Sequence, residues 1–317
     1  MTTDRAARIP DPLPHGRTAR RLDWVHLPPA VRRRVEDRIG TTVEHAVSQG
    51  GGYTPGFASV LLGTDGTRHF VKAASVKAQR AFAESYRIEA RRLRSLPPSP
   101  LAPRLLWAEE FEDWMLLETE YVDGRAPQRP WDPAELAVAS EMLVEAATLL
   151  TPAPGLGLDR AVDDWADWPG LWDRIDLPFA AECQALAARF AEVVAGDTLV
   201  HADVRDDNLI VRHDGSIALC DWNWPVMGAA WLDSLILLVG PRGDGLDVEA
   251  HIAAHPLLSA VDADDVDTVL ALVLGYFAHS AAQPSPSTSP YVRRVQAWQR
   301  DVILDWLAER RDWDLTR

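Results

Sequence analysis

Only two cysteines occur in the 317 residues, which excludes a disulfide framework as the source of stability. Cys220 lies in an apolar run abutting Asp221 and reads as a core residue; Cys183 stands alone. Long hydrophobic runs are also missing. The longest, around Trp231–Val239 and Val269–Phe277, fall short of the roughly 20 residues that a bilayer span requires. The N-terminus, MTTDRAARIPDPLPHGRTARR, carries arginines and prolines without an apolar stretch, so no secretory signal is expected. Positive charge is in deficit, with 32 basic against 47 acidic residues and a net charge of −15. That disfavours nucleic acid as a partner, because binding it requires basic surface to replace counterions. The acidity either serves only to keep the protein soluble or, in a cleft, attracts and orients amines. With no repeat and no long low-complexity segment, the expectation is a cytoplasmic protein without membrane partners, its oligomeric state open. A hydrophobic content of 47% suffices for one large domain or two lobes.

The first 27 residues lack periodicity. Pro28 and Pro29 then open a predicted helix, Ala30–Ile39, since proline suits a first helical turn. From Thr42 the pattern becomes β. Strands are expected at Thr42–Ser48 and Phe57–Leu62 around the glycine-rich QGGGYTPG, and the turn at 64–66 leads into a third, Arg68–Ala73. A helix over Ala78–Leu96 is stopped by PPSP, and two more strands follow at Leu105–Glu110 and Trp114–Tyr121. Beyond residue 122 helices dominate: Pro133–Leu150, Ala180–Val194, Ala229–Val239, Asp262–Ala282 and Pro290–Arg310. One short β pair, Leu209–Arg212 with Ile217–Cys220, interrupts them. The pattern is an α+β protein of two lobes: an N-terminal extension (1–41), a mainly antiparallel β lobe (42–122) and a helical lobe (123–317).

The chemistry concentrates in LVHADVRDDNLIV, residues 199–211, and ALCDWNWP, residues 218–225. The order His201, Asp203, Asn208, Asp221 follows the kinase pattern H-R-D-x-x-x-x-N and D-F-G, here H-A-D-x-x-x-x-N and D-W-N. Asp203 suits a base that orients a hydroxyl and takes its proton. Asn208 and Asp221 are neutral and anionic oxygen donors of the kind Mg²⁺ accepts. Arg205 either reaches a transferred phosphoryl group or pairs on the surface with Asp206 or Asp207. His201 reads as a residue fixing the turn, and Asp233 as a buttress beneath it.

Upstream, Gly51 and Gly52, with Gly50 and Gly56, allow backbone N–H groups to approach phosphate oxygens, and Thr54 adds a hydroxyl donor. The same cluster also serves as a plain hairpin turn. Lys72, at a strand end, is placed to reach nucleotide phosphates. Glu89 is its expected partner in preference to Glu84, because Leu93 and Leu96 follow Glu89 at i+4 and i+7 and turn that face inward. Backbone groups of Glu118, Thr119 and Tyr121 stand where a connector between lobes would meet an adenine edge. Trp165, Trp168 and Trp172, among acidic residues, either flank an amine- or sugar-bearing ligand or pack inward. Asp262, Asp264, Asp265 and Asp267 read as a helix N-terminus.

Together these pieces resemble the aminoglycoside phosphotransferase family, small-molecule kinases related to protein kinases, over roughly residues 42–240. The resemblance implies a two-lobed protein-kinase-like fold, ATP (or GTP) and Mg²⁺ as cofactors, and a small hydroxylated molecule as acceptor. It makes Asp203 the catalytic base, Asn208 and Asp221 the metal ligands, Lys72 a phosphate ligand and Glu118–Tyr121 the hinge. Ala202 stands where the family usually has glycine and Val204 where it has leucine; both keep small or apolar character. A nucleotide-binding pseudokinase without turnover is the alternative. Phosphorylation of a protein is disfavoured, because nothing between Asp221 and Asp233 resembles an activation loop.

Overall fold

Alternation along a few strands decides the architecture of the first half. In the computed structural model, which describes residues 8–10, 18–53, 56–154 and 157–315, five antiparallel strands form one sheet. After α1 (Pro29–Ile39) come β1 (Val43–Ser48), β2 (Phe57–Gly63), β3 (Arg68–Ser75), α2 (Arg80–Ser95), β4 (Leu105–Phe111) and β5 (Trp114–Thr119), with sheet order β1-β2-β3-β5-β4. Side chains two apart share a face. Phe57, Leu61, Val71, Ala73 and Leu116 therefore meet Val31 and Val35 of α1 on one side. Ala74, Met115 and Leu117 meet Ala83, Tyr86 and Ala90 of α2 on the other. Lys72 shares the face of Ala74, so strand period alone aims it at α2. Helix α1, from the expected N-terminal extension, is one layer of this lobe.

The chain then passes through β6 (Gly124–Arg125), α3 (Pro133–Leu149), α4 (Ala161–Asp164), α5 (Ala180–Ala187), α6 (Phe190–Val193), β7 (Thr198–Val200), β8 (Leu209–Arg212), β9 (Ile217–Leu219) and β10 (Val226–Gly228). Helices α7 (Leu232–Leu237), α8 (Val239–Gly243), α9 (Val248–Ala254), α10 (Ala263–Ala281) and α11 (Val292–Arg311) complete it. Helix α10 is apolar nearly all round and runs through the core, packed on α5 and α11. Asp132 caps α3, accepting from the N–H groups of Ala134 and Glu135. Two small sheets, β6-β8-β9 and β10-β7, carry the segment from His201 to Asp221 between them. Strand β6 lies flush on β8: a Cβ on Gly124 would fall 2.5 Å from the Val211 carbonyl oxygen.

The two-lobed α+β reading matches this architecture, with differences in detail. The helix expected over Ala180–Val194 breaks into α5 and α6, and that expected over Ala229–Val239 starts only at Leu232 and breaks before α8. Cys220 is half-buried rather than core, its thiol directed at the Asn208 carbonyl. Asp264 and Asp265 occupy the first turn of α10, whereas Asp267 is buried against Arg310 and Arg311 of α11. Trp165 and Trp172 pack inward, and the Trp172 indole donates to the Ala271 carbonyl. No described helix is long and apolar enough to cross a membrane.

Candidate active site

Hairpin register brings the two expected metal ligands together. Leu209 pairs with Leu219, so Asn208 and Cys220 continue the ladder, and the Cys220 N–H donates to the Asn208 carbonyl at 2.9 Å. Asp221 follows immediately, in the left-handed region at φ 67°. The Asn208 amide donates to the Asp203 carbonyl oxygen at 2.8 Å and to its Oδ2 at 3.1 Å. Asp203, Asn208 and Asp221 thus form one connected group on the turn and hairpin.

The turn itself is clamped from below. Both oxygens of Asp233 accept backbone hydrogen bonds, from His201 at 2.7 Å and Ala202 at 2.9 Å. His201 is fully buried; its Nε2–H donates to the Cys220 carbonyl, which leaves Nδ1 to accept the Asp203 N–H at 3.3 Å. Burial lowers its pKa and keeps the imidazole neutral. Ala202 adopts φ 64°. A left-handed alanine costs roughly 1–2 kcal/mol, a cost glycine avoids. Ala202→Gly is therefore expected to stabilise the protein by up to about 1 kcal/mol, read as a higher denaturant midpoint at unchanged slope.

Lys72 donates to both Glu89 oxygens, at 2.7 and 2.9 Å, and to Asp221 Oδ1 at 2.8 Å. Its ammonium lies 5.6 Å from the centre of the Tyr86 ring. Burial alone would lower the lysine pKa, but Asp221 and then Glu89 override it and raise it. Burial raises Glu89, against the pull of Lys72. Burial also pushes Asp221 upward, yet the Lys72 charge and hydrogen bond hold it down at about 2. Glu84, the rival partner for Lys72, pairs with Arg87 instead. Lys72 and Lys77 are the only lysines in the chain.

Burial raises the Asp203 carboxyl to about 6, despite the opposing charge of Arg205. Arg205 is held by Asp203 at 3.2 Å and Asp207 at 2.9 Å, over the Tyr53 ring at 5.2 Å. It pairs with Asp207 and with the expected base itself. Asp206 goes to Arg129. Tyr276 stacks on Trp168 at 4.5 Å, and Trp168 on Trp165 at 5.1 Å; burial, then the Asp203 charge, raises the Tyr276 pKa.

Of the glycine turn, Gly52, at φ 75°, approaches the catalytic turn, a Cβ there falling 4.0 Å from Asp207 Oδ2, whereas a Cβ on Gly51 would meet nothing within 4 Å. Thr54 falls outside the described residues. The Gly50, Gly51 and Gly52 carbonyls accept hydrogen bonds from Thr18, Ala19 and Arg21. Ser289 donates to the Tyr53 carbonyl, which ties the turn to the helical lobe.

The hinge expectation needs correction at two of its three residues. Glu118 and Thr119 lie inside the ladder of a central strand, Glu118 between Val71 and Trp107 and Thr119 between Phe70 and Leu105. Their backbone groups serve β3 and β4. The Glu118 carboxylate accepts from Trp107 and from His69 at 2.6 Å. The Glu120 N–H is also taken, by the Arg104 carbonyl at 2.7 Å. Groups open to a base edge begin beyond it, near Tyr121 and Val122; the Tyr121 side chain bonds Asp123.

Asn223 escaped the sequence reading. It is 5% exposed, its amide donates to Asp221 Oδ1, and its own Oδ1 is buried with no partner among the described residues. The only signal was its place two residues after Asp221, where the kinase pattern has glycine. Among the described residues no group of three or more His, Cys, Asp or Glu side chains could hold a metal unaided. The donors present are an amide and a carboxylate oxygen, with an orphaned amide oxygen beside them. This hard, incomplete set fits Mg²⁺, which keeps several waters and takes phosphate oxygens besides one or two protein ligands.

No family model and no curated protein sequence matches the chain. Solved structures do. The choline kinase LicA from Streptococcus pneumoniae superposes with a TM-score of 0.57 at 13% identity, over 90% of this chain and 99% of LicA. LicA in complex with AMP gives 0.53 at 13% identity, with the same 90% and 99% coverage. The AMP-bound spectinomycin phosphotransferase APH(9)-Ia gives 0.54 at 11% identity, over 88% of this chain and 98% of that one. The chain has the fold of these kinase-like small-molecule phosphotransferases.

Proposed function

We propose that this chain is an ATP- and Mg²⁺-dependent phosphotransferase acting on a hydroxyl of a small cationic molecule, such as an amino alcohol, amino sugar or aminoglycoside-like compound. The observation that carries the reading is the linked arrangement of Asp203, Asn208 and Asp221 with Lys72 and Glu89. Three separate segments meet here: Lys72 links Glu89 to Asp221, Asn208 holds Asp203, and the Cys220–Asn208 backbone bond joins the two groups. Each chemical group that transfer needs is present, which favours turnover over a nucleotide-binding scaffold. The AMP complexes of two proteins with this fold support adenine over guanine.

In this reading Asp203 orients the acceptor hydroxyl and takes its proton. The Asn208 amide fixes one of its oxygens and Arg205 the other. Asn208 and Asp221 would hold Mg²⁺, whose charge neutralises the nucleotide phosphates. Lys72, kept in place by Glu89, reaches the same phosphates, and Arg205 offsets charge on the group being transferred. A cationic acceptor is supported by the net charge of −15, by exposed Asp163, Asp164 and Asp167, and by the Trp168–Tyr276 stack beside Asp203. Choline, the substrate in the name of one protein with this fold, is itself a hydroxylated cation.

The test is phosphate transfer from Mg-ATP, with Mg-GTP in parallel, to a panel of amino alcohols, amino sugars, aminoglycosides and nucleosides. Transfer to neutral nucleosides alone would remove the cationic acceptor; nucleotide binding without transfer to any compound would favour the scaffold. The Asp203 carboxyl, raised to about 6, must be ionised to act as a base. kcat/KM should therefore climb with pH through about 6 and level off above 7. A profile flat from pH 5 to pH 7 would count against Asp203 in this role.

A further inference from the structure

One cation near the phosphate site comes from a part of the chain with no place in the kinase pattern. Residues 18–21 cross the glycine turn. The Thr18 and Ala19 N–H groups donate to the Gly50 carbonyl at 2.8 and 3.2 Å, and the Thr18 hydroxyl donates to Gly52. Thr18 is buried, so this crossing is a packed contact. Arg21 follows with one Nη2–H on the Gly51 carbonyl at 2.7 Å.

Gly52 locates the same guanidinium nitrogen against the catalytic turn. A Cβ built there would lie 3.3 Å from Arg21 Nη2 and 4.0 Å from Asp207 Oδ2. Arg21 and the catalytic turn thus face each other across one glycine. Arg21 Nε is buried and has no partner among the described residues. The Arg21 charge also favours the ionised forms of Tyr86, Glu89 and Asp221, the residues around Lys72. One of its donors is spent on holding the turn. The group is a planar, permanently charged fork lying against Gly52, whose Cβ position also approaches Asp207 of the catalytic turn.

We propose that Arg21 is a nucleotide-phosphate ligand supplied by the N-terminal segment, acting opposite Lys72 on the outer phosphates. It rests on the nucleotide-binding reading above. A guanidinium in this place matches phosphate oxygens in a way that a lone ammonium does not. It also gives the N-terminal segment a function: residues 18–20 hold the glycine turn so that Arg21 enters the cleft.

Calorimetric titrations of adenosine, AMP and Mg-ATP into the full chain test the proposal without relying on turnover. Arg21→Ala should weaken Mg-ATP about ten-fold or more, the loss of a charge-assisted hydrogen bond, with adenosine unchanged and AMP between them. Arg21→Gln, which keeps a donor for Gly51 but no charge, should show the same order of losses at an unaltered melting temperature. Equal weakening of all three ligands would make Arg21 a residue that merely shapes the turn, and no weakening would make it a bystander; either overturns the proposal. Absence of Mg-ATP binding by the unaltered protein would instead sink the nucleotide reading, and this proposal with it.

Discussion

Replacing Asp203 with alanine is expected to slow phosphate transfer by on the order of 10²–10⁴, the range lost with a general base. Mg-ATP affinity should stay near that of the unaltered protein. The separation follows from the geometry of Asn208. Its amide loses Asp203 Oδ2 in the variant but keeps the Asp203 backbone carbonyl at 2.8 Å, so this proposed metal ligand remains placed. His201 and Asp233 hold the turn through backbone groups that the substitution leaves intact. The effect should therefore fall on kcat. Asp203→Asn, which preserves volume and polarity but cannot take the proton, should match the alanine variant. Steady-state kinetics beside calorimetric titration of Mg-ATP checks both. Turnover close to normal in either variant would remove the mechanism.

Lys72→Met is expected to cost about 3–5 kcal/mol of folding stability, the loss on breaking a buried ion pair from one side. The methionine preserves the apolar stem. It leaves Glu89, 2% exposed, beside Asp221 with no ammonium between them. Glu89 is already pushed upward by burial and loses its main opposing charge. Its folded pKa then lies well above the unfolded value of about 4.3, so the folded state retains a proton that the unfolded chain has released. The variant loses stability as pH rises from that value. Its deficit against the unaltered protein should be smallest near pH 5 and widen toward pH 7. Urea titrations at the two pH values measure this, and a deficit independent of pH would show that Glu89 has another partner.

Local pattern carried the architecture further than it carried the cleft. Strand alternation and the leucines after Glu89 were enough to pair Lys72 with Glu89 and leave Glu84 to the surface. The hairpin carrying Asn208 and Asp221 was legible because its apolar flanks and turn are local. The connector was not. Whether Glu118 and Thr119 have free backbone groups depends on β4, a strand paired from the far side, which the hydrophobic pattern of β5 does not reveal. Strands β7 and β10 are invisible for a similar reason: they exist only by pairing with each other across some 25 residues. Arg21 and Ser289 reach the glycine turn from distant, aperiodic segments, and no spacing rule links them to it. Asn223 differs again: it was in view, but its orphaned oxygen belongs to three-dimensional packing alone.

The close seating of Gly124 on Val211 sets where the molecule can bend. Strand β6 splices the end of the connector onto the very hairpin that bears Asn208 and Asp221, so these parts travel as a single jaw. Any pivot between the lobes would then lie upstream of Gly124, with the five-stranded sheet and Lys72 on its other side. Widening the gap would pull the ammonium from Asp221 while the spacing between Asn208 and Asp221 stayed as it is. Under the proposed function, product would leave by loosening the Lys72–Asp221 pair and the Ser289 hold on the glycine turn, without parting Asn208 from Asp221.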